Sequence, residues 1–256
     1  MSHHIVEFRD VYFCYPDGTN ALSGVSFKIS HGESVGLVGA NGAGKTTLLM
    51  TINGHLLPTK GKILIGEIAL NKKTRQEIRK KVGMVYQRPD DQLFMPTVYE
   101  DVAFGPANLG LSDDIIKERV NKALETVGCI SLVNRPPHRL SEGQKSLVAI
   151  ASVIAMSPDI LVMDEPASTL DPKSRRNLIN LLKGFKHTKI IASHDLDLIL
   201  DVCERCIILK EGRIITDGRS IDILSDINLL EDNNLELPLS LQRTVFNKNE
   251  ERTWKI

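Results

Sequence analysis

The chain has 256 residues, 42% of them hydrophobic, enough to bury one large core or two smaller ones and to fold unaided. Its 32 basic and 32 acidic residues cancel, so bulk charge argues neither for a nucleic-acid partner nor for adsorption to an acidic membrane surface, and leaves only local patches to do so. No run reaches the roughly 18 apolar residues of a membrane span, and the opening MSHHIVEFRD lacks the apolar core of a signal peptide. An intracellular location is expected, with any membrane role exercised through a partner.

The first third alternates polar and apolar residues between Pro-Asp-Gly and His-Gly turns. VEFRDVYFCY and ALSGVSFKIS read as antiparallel strands that lead into one buried strand, SVGLVG. GANGAGKT, residues 39–46, then fits G-x-x-x-x-G-K-[ST], and it lies between that strand and the helical spacing of TTLLMTING. Gly39, Gly42 and Gly44, with Ala40, Asn41 and Ala43 between them, let backbone N–H groups wrap phosphates without side-chain clash. Lys45 adds a point charge to the β/γ oxygens, the Thr46 hydroxyl can ligate Mg²⁺, and Thr47 completes the nucleotide-binding run.

GMVYQ follows as a buried strand. The stretch from about 88 to 158 is richer in helix patterns and reads as a helical insertion, with Ser112 and Ser141 each placed as an N-cap before a carboxylate. Within it LSEGQK, residues 140–145, holds no nucleophile with its base and no metal-ligand spacing. Ser141, Gly143 and Gln144 at a helix entrance suit an anion, because orphan N–H groups and the positive end of the helix dipole collect there.

DILVMDE and KIIASH are again near-continuous apolar runs ending in polar residues, the mark of strands buried on both faces of a parallel sheet. Ligands gather at the carboxyl ends of such strands, so Gln87, Asp164, Glu165 and His194 are expected in one crevice. Adjacent strand residues point to opposite sides, which lets Asp164 hold Mg²⁺ while Glu165 orients and polarises the attacking water. Gln87 is placed to touch Mg²⁺ and the water, and His194 to donate to the γ-phosphate. Cys203 and Cys206 form a CxxC without a second pair, and four scattered cysteines suit a reducing compartment, so structural thiols are expected. His3 and His4 alone complete no metal shell.

A second anion reader in a chain that already has a phosphate loop is redundant unless it reads the ATP of another copy. Two chains head to tail about a two-fold axis would each offer Ser141, the Gly143 N–H and Gln144 to the γ-phosphate held by the other. ATP then closes the pair, and hydrolysis reopens it.

GANGAGKT, Gln87, LSEGQ, ILVMDEP, STLD and His194 occur in the order of the ATP-binding-cassette ATPases, and the chain resembles that family across residues 5–220. The resemblance implies an α/β fold: a P-loop NTPase core with a parallel sheet, an N-terminal antiparallel β subdomain and the helical insertion. It implies an ATPase domain over 1–220, a C-terminal extension over 221–256, and ATP with Mg²⁺ as cofactors. Tyr15 of FCYPDG would stack on adenine, and Asp171 of STLD would work across the dimer interface.

Residues 86–111, YQRPDDQLFMPTVYEDVAFGPANLGL, and the stretch HRLSEGQKSLVAIASVIAMSPDILVMDEPASTLDP are similar to the ATPase subunits of energy-coupling-factor importers, which take up cobalt, nickel and some vitamins. That similarity implies a peripheral subunit on the cytoplasmic face of the membrane, dimeric with itself or with a related ATPase. An integral membrane partner would be seated on 88–111. Asp90, Asp91, Glu100 and Asp101 would meet its basic residues, with Leu93, Phe94 and Met95 as an apolar seat.

The family's commoner glycine is replaced by Glu142, which weakens closure by repulsion unless its side chain points away from the phosphate. Ser146 and Leu147 stand where the family often has more basic residues. The alternatives are a soluble ATPase of the same family, in repair, translation or cofactor assembly, and a phosphate-loop kinase. Repair relatives need a long coiled-coil insertion and translation relatives two cassettes in one chain, while a kinase would lack LSEGQ and the DEP–STLD–His series.

Overall fold

In the computed structural model, which describes residues 4–242, the N-terminal part is an antiparallel sheet in which burial alternates from Val25 to Ile29 while Ile5 to Phe8 are all buried. The expectations for His3 and for residues 243–256 lie outside the described residues. β1 (His4–Cys14) pairs with β2 (Asn20–Ser30), and Phe8 stacks on Phe27 with ring centroids 4.6 Å apart. β3 (Ser34–Val38) leaves this sheet, and after α1 (Lys45–Ile52) the chain returns to it as β4 (Lys60–Ile65) and the short β5 (Ile68–Ala69), in the order β2-β1-β4-β5.

α2 (Arg75–Lys81) leads into β6 (Val82–Val85), and the helical insertion follows: α3 (Val98–Asn108), α4 (Asp113–Thr126) and α5 (Glu142–Ile154). β7 (Ile160–Asp164) comes next and pairs directly with β6, so the helices are spliced between two neighbouring strands. The remaining elements are α6 (Pro172–Gly184), β8 (Thr188–Ala192), α7 (Leu196–Val202), β9 (Arg205–Lys210), β10 (Arg213–Arg219), α8 (Ser220–Leu224) and α9 (Ile227–Asp232). The second sheet runs β10-β9-β3-β8-β7-β6, parallel throughout except for the antiparallel edge β10.

Strand β7 shows why its run is apolar without alternation. Ile160 and Val162 belong to the core beneath the antiparallel sheet and α1, whereas Leu161 and Met163 belong to the core under the helices. Ile223, Leu224 and Leu230 of α8 and α9 join that second core, so the first part of the C-terminal segment packs with the helical insertion and the parallel sheet. Cys203 and Cys206 are buried as well. Burial pushes the Cys206 thiol up to about 12 and the Cys203 thiol further, which leaves both as unreactive packing groups.

Capping differs from expectation at one helix. Ser112 occupies the N-cap of α4 but makes no side-chain capping bond, whereas Thr97, not singled out in the sequence, accepts the Glu100 N–H at 3.3 Å and donates to Glu100 Oε2 at 2.7 Å. Ser141 forms the full capping box expected of it. Its Oγ accepts from the Gln144 N–H at 3.3 Å and Gln144 Oε1 accepts from the Ser141 N–H at 3.1 Å, an arrangement worth about 1 kcal/mol.

Register positions the site. Leu37 of β3 and Asp164 of β7 both pair with Ala192 of β8, and Val85 of β6 pairs with Met163. The loops that leave these four strands therefore emerge side by side at one edge of the sheet.

Candidate active site

The loop after β3 is built on glycine where other residues cannot fit. At Gly39, with φ 151°, an added Cβ would collide with the Leu209 carbonyl oxygen, and at Gly44, with φ 103°, it would collide with that of Ala21. Lys45 is buried, and its Nζ donates to the carbonyls of Gly39 at 2.6 Å and Ala40 at 3.1 Å. Burial lowers its pKa, and the carboxylates of Glu165 and Asp164 act against that shift.

Thr46 Oγ1 donates to Asp164 Oδ2 at 2.6 Å, across two elements far apart in sequence. Burial raises the Asp164 pKa above the ordinary aspartate range, with the Thr46 hydrogen bond opposing it and the Glu165 charge adding to it. Tyr15 donates or accepts a 2.9 Å hydrogen bond with Thr47 Oγ1 and packs edge-on to Phe13, centroids 4.9 Å apart. Tyr15, residues 41–47, Gln87, Asp164 and Glu165 together line a cleft of about 410 Å³. The Thr46 hydroxyl, the Asp164 carboxylate and the Gln87 amide present hard oxygen donors there, which is the chemistry that Mg²⁺ takes.

Asp164 and Glu165 do not face opposite ways as strand alternation suggested. Asp164 ends β7, and Glu165 adopts a left-handed backbone, φ 50°, which turns its carboxylate into the same cleft. Such a conformation costs about 1–3 kcal/mol in a non-glycine residue and persists only where surroundings hold it. Here the Glu165 N–H donates to Ala192 O at 2.9 Å, and its carboxylate is buried among donors: Ser193 Oγ at 3.1 Å, the His194 N–H at 3.0 Å and His194 Nδ1 at 2.7 Å.

His194 does not line the cleft of Lys45 and Asp164. It is reached through Glu165, and with Ser193 and Glu165 it lines an adjoining cleft to which residues 234–240 and Gln242 also contribute. Gln87, by contrast, lines the cleft of Lys45 together with Asp164 and Glu165.

Sequence reasoning missed three supports of this corner. Ser193, the residue before His194, reaches Glu165 directly. Arg175, one turn into α6, forms a bidentate pair with Asp195, Nε to Oδ2 at 2.6 Å and Nη2 to Oδ1 at 2.8 Å, and Asp195 in turn caps α7. Asp197 accepts the N–H groups of Leu239 and Ser240 at 3.0 and 3.1 Å, tying the C-terminal segment to the same short stretch. Acidic residues after a histidine were the only available signal, and their partners are distant in sequence.

None of residues 141–145 lines the cleft that holds Lys45. Ser141 and Glu142 are exposed at the entrance of α5, while Ser146 donates to or accepts from Thr169 Oγ1 at 2.7 Å, linking that helix to the STLD loop. Asp171 is the N-cap of α6. Its bonds from the Ser174 hydroxyl at 2.6 Å and from the Ser174 and Lys173 N–H groups hold its carboxyl below the usual range.

The segment 88–111 departs from its expected division of labour. Leu93 is buried in the core, so the apolar surface is supplied by Phe94, 64% exposed, and by Phe104, 43% exposed, whose rings meet edge to face at 5.0 Å. Asp101 is buried rather than presented at the surface. Its Oδ1 accepts the N–H groups of Phe94 and Met95, both at 3.0 Å, and its Oδ2 is buried without a hydrogen-bond partner among the described residues. Burial raises its pKa. Gln92 fixes the segment to α5, accepting from the Tyr86 N–H at 3.2 Å and donating to Ala149 O and Ser152 Oγ at 2.8 and 3.0 Å.

Residues 22–168 match the family model described as ABC transporter. The chain is 59% identical over 242 residues to a putative ABC transporter ATP-binding protein of Geobacter sulfurreducens, covering 94% of this chain and 97% of that one. It is 47% identical over 242 residues to the energy-coupling factor transporter ATP-binding protein EcfA of Methanocaldococcus jannaschii, covering 92% and 86%. Among solved structures it is similar to cbiO1 of Clostridium perfringens, described as part of the ABC transporter complex cbiONQ, with TM-score 0.80, 37% identity and 96% and 100% of the two chains covered. It is also similar to the ATP-binding cassette MJ0796, solved as a dimer bound to ADP and Pi, with TM-score 0.78, 29% identity and 84% and 98% covered.

Proposed function

Because the chain belongs to the ABC transporter ATPases, which hydrolyse ATP to drive transport, we propose that it is the ATP-binding subunit of an energy-coupling-factor importer for cobalt, nickel or a vitamin. It would sit peripherally on the cytoplasmic face of the membrane. The names of its EcfA and cbiO1 relatives support the importer class.

The observation that carries the transport role is the exposed Phe94–Phe104 pair. It lies in a groove of about 640 Å³, which Asp91 and the buried Asp101 also line. Burying what remains exposed of the two rings is worth at most roughly 1.5–3 kcal/mol for each, and the exposed Asp91 gives a basic residue of a membrane subunit something to pair with.

The residues divide the hydrolytic work as follows. Backbone N–H groups of residues 39–47 and Lys45 bind the phosphates, and Tyr15 stacks on the adenine. Thr46, Asp164 and Gln87 would hold Mg²⁺, which when bound offsets charge on the β- and γ-phosphates. Glu165 accepts a proton from the attacking water, and Ser193 and His194 keep its carboxylate aimed. Ser141, the Gly143 N–H and Gln144 read the γ-phosphate held by the second copy, with Asp171 at the same interface. Their distance from their own cleft supports this division.

Purification from membranes of the native host, followed by identification of attached proteins and by metal and vitamin analysis, tests the proposal. An integral membrane protein should co-purify, and Phe94→Ala with Phe104→Ala should release it. Recovery without any membrane protein would count against import.

A further inference from the structure

Glu142 is the first residue of α5, at the helix end that carries Ser141, Gly143 and Gln144. A carboxylate there opposes a second anion arriving at the same end, since like charges repel more strongly as water is squeezed out. Lys145, one turn along, answers that charge. Its Nζ lies 2.8 Å from Glu142 Oε1 and 2.9 Å from Asp90 Oδ1. The lysine side chain is only 12% exposed, against 58% and 59% for the two carboxylate side chains, so the cation is held in place while its partners face solvent. Asp90 belongs to the turn Pro89–Asp91, three residues beyond Gln87, and Gln92 pins the same segment to α5.

We infer that Lys145 is a positioning residue of the ATPase cycle: it cancels the charge of Glu142 at the anion-reading end of α5 and ties that end to the Gln87 segment. The inference rests on the reading that this end meets the γ-phosphate of a second copy. It accounts for a glutamate where the family commonly has glycine, because the side chain is drawn along the helix toward Lys145. The bond to Asp90 makes the Gln87 segment and the entrance of α5 one body, so a displacement of either carries the other. Because both carboxylates face solvent, these pairs contribute little to folding, and the effect of the lysine is read in closure of the dimer.

The test is a charge cycle in the hydrolysis-deficient Glu165→Gln protein, read as the Mg-ATP concentration that gives half-maximal dimer by light scattering. Lys145→Met should raise that concentration about tenfold, the change that corresponds to ~1.4 kcal/mol, without altering nucleotide affinity of the monomer or the circular-dichroism spectrum. Glu142→Gln added to Lys145→Met should return it to within about twofold of the parent, and high salt should shrink the defect. If the parent dimerises but Glu142→Gln leaves the Lys145→Met defect uncorrected, the inference is overturned alone. Failure of the Glu165→Gln parent to dimerise with ATP overturns the reading of α5 as a reader of the second copy's phosphate, and the inference with it.

Discussion

His194 Nδ1 lies 2.7 Å from Glu165 Oε2, and the same carboxylate receives the His194 N–H and the Ser193 hydroxyl. A carboxylate held this way has one orientation relative to the cleft, even though its backbone sits in a left-handed conformation. Glu165→Gln keeps the shape and most of the hydrogen bonds but cannot accept a proton. ATP binding should persist, and turnover should fall by a factor on the order of 10² or more. Unchanged turnover in a steady-state phosphate-release assay would remove Glu165 from its role.

His194→Ala leaves the Glu165 carboxylate with the Ser193 hydroxyl and the main-chain N–H of position 194. Because His194 is exposed on the far side of Glu165, its loss should lower kcat by at least about tenfold with little change in the ATP concentration for half-saturation. A rise in KM with kcat intact would instead make His194 a binding residue.

Asp164 is an acid whose native pKa lies above its ordinary value because it is buried. Between the ordinary and the raised value the native state binds more protons than the unfolded chain, so its contribution to stability falls as pH rises through that window. Asp164→Asn still accepts from Thr46 and carries no charge. The variant without nucleotide should melt higher than wild type at pH 7, the gap should close below the ordinary aspartate value, and hydrolysis should be lost. A lower melting temperature at pH 7 would contradict the burial argument.

Asp197 clips the C-terminal segment through the Leu239 and Ser240 N–H groups. Asp197→Ala should speed hydrogen exchange at these two amides at least about tenfold, while exchange in β7 and β8 stays unchanged. Equal protection in both proteins would show that Leu235 and Leu237, packed on the helical core, hold the segment unaided.

Much of this was legible in the sequence where chemistry is local. GANGAGKT fixes a loop by backbone freedom alone, and the runs ILVMD and TKIIA declare strands buried on both faces, so the meeting of Gln87, Asp164 and Glu165 followed from sheet topology. What depended on tertiary packing was not legible. Asp101 reads as one more surface acid in VYEDVAF, yet it is folded under the Phe94 and Met95 amides. Glu165 reads as the next strand residue, yet the chain turns at it. Lys145 reads as a charge after a motif, and its second partner, Asp90, lies 55 residues away.

The dimer bound across ATP is tested most directly by sizing Glu165→Gln with and without Mg-ATP under light scattering. The account predicts monomer without nucleotide and dimer with it, with Ser141→Arg binding ATP yet remaining monomeric and Lys45→Ala doing neither. A Glu165→Gln protein that binds ATP and stays monomeric would contradict the claim that one copy reads the phosphate of another.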